Sequence, residues 1–203
     1  RSGLFFPEEG HVEPRAVIPA LRRLFEDRGG VIRYHSPVEP GAVSGFVVDC
    51  RGLAARGLFP DLRGVKGETV LIETPEITLT RPVRLMHPRW PIYIIPRPGG
   101  RFLIGATSIE SEDRSGVTLR SALELMTAAY TVHPAFGEAR IVELGTALRP
   151  ALPDHAPRIE VRGRHIAVNG LYRHGFLLAP ALAEIVTDYV TRGARDNEVM
   201  RWC

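Results

Sequence analysis

Arg173 stands between two glycines in the stretch Asn169-Gly-Leu-Tyr-Arg-His-Gly-Phe-Leu-Leu-Ala-Pro180. Its guanidinium is a fixed cation with a planar fork of donors, suited to a carboxylate or to an anionic ring system. Gly170 and Gly175 let backbone turn tightly and come close to a bound group, while free N–H groups at the start of a following helix favour electron-rich atoms. That is a cofactor site in outline. The plainer reading is that the glycines punctuate a strand–helix junction and Arg173 is solvated, because glycine motifs are loosely specific.

The elements that must position this bend are an apolar strand over His165 to Asn169 before it and a helix whose periodicity is clear from Ala181 to about Arg192. Upstream, an apolar strand at Gly3 to Pro7 is followed by a helix with Pro14 near its first turn, Leu21, Leu24 and Phe25 on one face, and Gly29-Gly30 at its end. Val31 to Tyr34 and Gly45 to Cys50 read as strands. The middle alternates: Glu68 to Thr74, Ile92 to Pro96 and Arg101 to Gly105 predict an antiparallel sheet, with Pro98-Gly99-Gly100 as a hairpin turn. A helix over Thr118 to Val132 is expected to open on a capping box of Ser121 and Glu124. A strand over Ile141 to Leu148, a loop from Pro150 to Pro157 and a hairpin of Ile159 to Val161 with His165 to Val168 complete the pattern. The fold class is α/β (α+β): a layered α/β unit, residues 1–63 and 150–203, interrupted by an antiparallel-sheet domain over 64–149.

With 203 residues, 44% hydrophobic and 24% charged, the chain can bury a substantial core. The formal charge of +3 rests on scattered arginines, with Lys66 the only lysine, and there is no basic run of the kind that binds nucleic acid. No apolar run is long enough for a membrane span, and Cys50 and Cys203 read as reduced thiols; a cytoplasmic protein is expected. Cys50 follows an apolar strand and reads as buried packing, despite Arg51 beside it. No metal site is expected, because His11, His35, His87, His133 and His165 lack paired ligand spacing. Asp154-His155 in a Pro-bounded loop reads as a turn, and Arg81, Arg84 and Arg89 as a solvated sheet edge. Arg1-Ser-Gly-Leu-Phe-Phe-Pro7 has no Met and enters on an apolar strand, which suggests a fragment; no Gly-x-Gly-x-x-Gly follows any strand.

Val12-Glu-Pro-Arg15, Val48-Asp-Cys-Arg-Gly52, Val65-Lys-Gly-Glu68, Tyr93-Ile-Ile-Pro96, Gly105-Ala-Thr107, Leu148-Arg-Pro150 with Pro153-Asp154, and Gly170 to Pro180, taken in order, resemble the FAD-dependent D-amino-acid oxidase superfamily, most of all its glycine oxidases of thiamine biosynthesis. The resemblance implies the C-terminal part of a Rossmann-like FAD-binding domain with an inserted substrate domain. It implies FAD as cofactor, a small amino acid as substrate, oxygen as electron acceptor and a homo-oligomer. Hydride would pass from the α-carbon to the flavin, oxygen would be reduced to hydrogen peroxide, and the imine would hydrolyse to a keto acid and ammonia. Residue by residue, Arg149 matches the arginine that pairs with the substrate carboxylate, Tyr93 a tyrosine that assists it, and Arg173 the second arginine. The flavin-lining segment matches Gly170, Leu171, Tyr172, Arg173, His174, Gly175, Phe176 and Leu177. Gly52 matches a turn below the flavin, and Val38 a strand residue whose backbone meets the adenine. The sequence departs from the family at Leu171, usually His, and at His174, often Asn.

An amino-acid carboxylate held bidentately by Arg149 would fix the α-carbon for reaction, so that positioning supplies much of the rate. Two other readings stand beside this one: a dehydrogenase of the same superfamily passing electrons to a quinone or dye, and a non-catalytic binding or assembly subunit.

Overall fold

The computed structural model describes residues 3–195 and 197–202, and Cys203 lies outside the described residues. The chain divides into two compact units: residues 1–36, 68–107 and 115–146 form the first, and residues 37–67, 108–114 and 147–203 the second. In chain order the main elements are α1 (Pro14–Asp27), β1 (Val47–Asp49), β2 (Arg63–Glu73), β3 (Val83–Leu85), β4 (Ile92–Arg97), β5 (Arg101–Gly105), α2 (Leu119–Val132), β6 (Arg140–Ala151), β7 (Arg158–Arg162), β8 (His165–Asn169), α3 (Gly175–Arg192) and β9 (Met200–Trp202).

The first unit is built on the hairpin that the alternating sequence predicts. β4 and β5 pair antiparallel across the turn at Gly99 and Gly100, whose φ angles of 78° and 70° only glycine adopts cheaply. β5 then pairs with β2, in a sheet ordered β3-β4-β5-β2-β6. One face of this sheet buries Val70, Ile72, Ile92, Ile94, Phe102 and Ile104 against Leu125, Ala128 and Ala129 of α2 and Phe136. α2 is capped by Thr118, whose side chain accepts from the Ser121 N–H; the expected Ser121–Glu124 box is corrected to this earlier cap. α1 behaves differently. Glu13 caps it and Pro14 opens it, but none of its residues is buried, and Ile18, Leu21, Leu24 and Phe25 are exposed. Its start is tied by Arg15 to Glu143 at 2.9 and 2.6 Å, and by Glu13 to Arg97 at 2.7 Å. The strands expected at Gly3 to Pro7 and Val31 to Tyr34 are not formed: these stretches are irregular, Leu4, Phe5, Phe6 and Val31 are exposed, and no strand among the described residues pairs with them.

In the second unit β1 pairs parallel with β8, β8 antiparallel with β7, and β7 parallel with β9, giving the order β1-β8-β7-β9. Ile159, Val161, Ile166 and Met200 pack on Leu182 and Val186 of α3. A second cluster, Ala55, Phe59, Leu62, Leu152 and Ala167, gathers the 3-10 segment Gly52–Leu58. α3 begins at Gly175, a turn and a half before the periodic stretch, with Pro180 inside it, and ends on left-handed Gly193.

Candidate functional site

The bend after β8 is organised by Asn169, which is 1% exposed. Its Nδ2 donates to the Gly52 carbonyl at 2.8 Å, and its Oδ1 accepts from the Gly170 N–H at 2.9 Å. One carboxamide thus joins two turns 117 residues apart in sequence, each built on a glycine with positive φ, 58° at Gly52 and 81° at Gly170. At Gly170 a Cβ would meet Leu152 Cδ1 at 2.7 Å and the Ala156 carbonyl oxygen at 3.0 Å, so only glycine fits. The Gly52 turn is held from its other side by Asp49, buried at the end of β1, which accepts from the Arg51 N–H, Nε and Nη2 at 3.1, 2.9 and 2.7 Å. Hydrogen bonding to Arg51 holds the Asp49 carboxyl below its ordinary range against the opposing effect of burial.

Tyr172 follows in a left-handed conformation, φ 49°, which is costly for a bulky side chain and needs support from its surroundings. That support is visible. Its N–H donates to the Pro150 carbonyl at 3.1 Å, its phenol oxygen lies 2.8 Å from Ser108 Oγ, and its ring stacks on His155 at 4.6 Å with 17° between planes. The Arg173 guanidinium lies 5.0 Å from the ring centroid. Burial alone pushes the Tyr172 phenol up. The Ser108 hydrogen bond, then Arg173 by hydrogen bond and charge, and Arg149 by charge outweigh it and hold the phenol below its ordinary range. Arg173 lies over the Tyr172 ring, and Arg149 stands one residue before Pro150, whose carbonyl accepts the Tyr172 N–H, so the fold brings both arginines to this bend.

Arg149 is half-buried on β6 and lies against Gly67 of β2. Tyr93, in the first unit, is half-buried on β4 and lies across Gly105 of β5, its register partner: a Cβ there would sit 2.6 Å from the phenol oxygen and 2.7 Å from Cζ.

The remaining predicted residues divide. Phe176 and Leu177 are exposed on the first turn of α3, and His174, which precedes it, offers no side-chain cap to the N–H groups there. Leu171 packs against the α3 core. Val38 is 53% exposed in an irregular stretch rather than on a strand. Cys50 is an exposed residue, not the buried packing expected. Partial desolvation and the Asp49 charge push its thiol up. Asp154 makes the turn expected of it, accepting from the Ala156 N–H at 3.1 Å, and this turn presents His155 to Tyr172. Among the described residues no cluster of His, Cys, Asp and Glu could hold a metal, and no helix is long and apolar enough to cross a membrane.

Ser108, Asn169, His155, Gly67 and Gly105 were not singled out from sequence as site residues. Asn169 carried a signal, an Asn-Gly at the end of an apolar strand. Ser108 carried none, since its role arises only when residues 64 apart meet.

A family profile described as DAO, FAD dependent oxidoreductase, matches residues 1–189. The chain belongs to the DAO family of FAD dependent oxidoreductases. It is 52% identical over 183 residues to a Rhizobium etli protein named as a candidate thiamine biosynthesis oxidoreductase, ThiO, covering 90% of this chain and 56% of that protein. It is 30% identical over 213 residues to a glycine oxidase of Bacillus licheniformis, covering 92% of this chain and 56% of the relative. Among solved structures, glycine oxidase from Bacillus cereus superposes with a TM-score of 0.67 at 26% identity, covering 82% of this chain and 51% of that one. The chain thus spans about half the length of these DAO-family relatives.

Proposed function

We propose that the protein containing this chain is an FAD-dependent oxidase of glycine or another small amine bearing a carboxylate. The observation that carries the reading is that Tyr172 holds the Arg173 guanidinium 5.0 Å from its ring centroid while its N–H binds the carbonyl of Pro150, the residue after Arg149. In this reading the Arg149 fork holds the substrate carboxylate bidentately, which fixes the α-carbon in one orientation, and Arg173 adds a second positive charge near it. Tyr93 takes the part of the assisting tyrosine on resemblance alone. The reading assigns residues 1–63 and 150–203 to the FAD-binding domain and 64–149 to the substrate domain, a division that differs from the two compact units at residues 1–36, 64–67, 108–114 and 147–149.

The residues present suit a flavin. The glycine bends at Gly52 and Gly170 allow backbone to approach it, exposed Phe176 and Leu177 offer apolar surface, and the first turn of α3 has no side-chain cap from His174. The N–H groups of that turn would favour negative charge on an electron-rich ring. FAD, when bound, supplies the hydride acceptor and passes the electrons on to oxygen.

The test is the full-length protein loaded with FAD. It should consume oxygen and release hydrogen peroxide with glycine or sarcosine, and should do neither with methylamine, which has no carboxylate. Reduction of a dye without oxygen uptake would replace the oxidase by a dehydrogenase, and equal turnover of methylamine would remove the carboxylate from the reading.

A further inference from the structure

We infer that Gly67 is a positioning residue for Arg149: its missing side chain is the bed on which the guanidinium lies. This inference rests on the carboxylate-binding role proposed for Arg149. Gly67 is a buried residue inside β2, and it is not among the positive-φ glycines, so its backbone would accept any amino acid. Glycine inside a strand is unfavourable unless something approaches closely. Here that is Arg149. A Cβ built on Gly67 would overlap Cζ and both terminal nitrogens of Arg149, all three at nearly equal distances.

Equal distances to three atoms of a planar group mean that its face, not its edge, is turned to the glycine. The N–H donors then lie around the rim, parallel to the strand surface. The plane of the fork decides where a bidentate carboxylate can sit, and the backbone at Gly67 fixes that plane. The neighbour in sequence points the other way, as strand alternation requires: Lys66 pairs with Asp113 at 2.7 Å. Any side chain at residue 67 would push the guanidinium off its seat while leaving its charge in place.

The experiment uses full-length protein with FAD and compares wild type, Gly67→Ala, Arg149→Ala and the double variant. Acetate binding is followed by flavin absorbance, glycine turnover by KM and kcat, and stability by melting temperature. Gly67→Ala should weaken acetate binding and raise the glycine KM by about 100-fold, the scale expected when a reacting group is displaced by an ångström. In the Arg149→Ala background the same change should add nothing to acetate binding, because the displaced group is gone. It should also lower the melting temperature when Arg149 is present and raise it when Arg149 is trimmed.

A Gly67→Ala protein that binds acetate like wild type, while Arg149→Ala does not, overturns the inference and leaves the proposed function standing. Equal acetate binding by wild type and Arg149→Ala overturns the proposed function, and the melting temperatures then still decide whether Gly67 seats Arg149. If Gly67→Ala does not fold, folding of the double variant supports the inference and failure of both overturns it.

Discussion

Tyr93 in the first unit and Arg149 in the second each lie across a strand glycine, Gly105 and Gly67, yet the two arrangements differ in kind. Tyr93 and Gly105 are register partners in a regular antiparallel pair, with Ile92, Ile94 and Ile104 packed into the core of the same sheet. A tyrosine laid over a cross-strand glycine is ordinary sheet packing, and it would take this position with or without a ligand. Arg149 differs in chemistry. It lays a charged planar group against strand backbone, one residue before Pro150, whose carbonyl takes the N–H of a tyrosine in a strained conformation with a second arginine beside it. The first glycine meets a packing need, whereas the second sets the direction of a charge.

Substitutions on the two sides should accordingly register in different measurements. The largest effect is expected from Arg149→Ala, which should weaken binding of a small carboxylate by about 3 kcal/mol, the usual scale for truncating a hydrogen-bonded charge pair, with little change in melting temperature. A large loss of stability with unchanged binding would make Arg149 a packing residue like Tyr93 and erase the contrast. Next, Gly105→Ala should cost about 1–3 kcal/mol of stability by driving a methyl group into the Tyr93 ring. Denaturant unfolding measures it, and a neutral result would mean that Tyr93 moves freely off its glycine.

Tyr172→Phe should cost about 1 kcal/mol through the lost hydrogen bond to Ser108. Its sign with pH is informative. A phenol whose folded-state pKa is depressed below its ordinary value of 10.0 adds stability as it ionises, an effect complete above the unfolded pKa and lost as pH falls through the folded one. The gap between wild type and Tyr172→Phe should therefore widen as pH rises toward 10.0. A gap that narrows would mean that Arg149 and Arg173 do not act on this phenol.

The regular parts of the fold were legible because local signals sufficed. Alternation with Pro98-Gly99-Gly100 specified the β4–β5 hairpin, and the spacing of Leu21, Leu24 and Phe25 specified α1. Val31 to Tyr34 misled, since an apolar run becomes a strand only when a neighbour supplies its hydrogen bonds. The apolar periodicity of α3 was clear only from Ala181, because Pro180 interrupts the first turns of the helix, which accommodates it. At the site, the glycine bends and Arg173 were visible from residue type, whereas Arg149 was singled out only through the family resemblance. What joins them was not: the Asn169 bridge to Gly52, the Ser108 contact to Tyr172 and the seat under Arg149 are all made by residues far apart in the chain.

Lys66 has a practical corollary. The single lysine of this sequence is 2% exposed and salt-bridged to Asp113. Acylating reagents that label most proteins at many surface amines find no exposed lysine here. The rate at which this ammonium becomes modified would report the opening of the strand that also carries Gly67, making native-state acylation a one-residue clock for that part of the molecule.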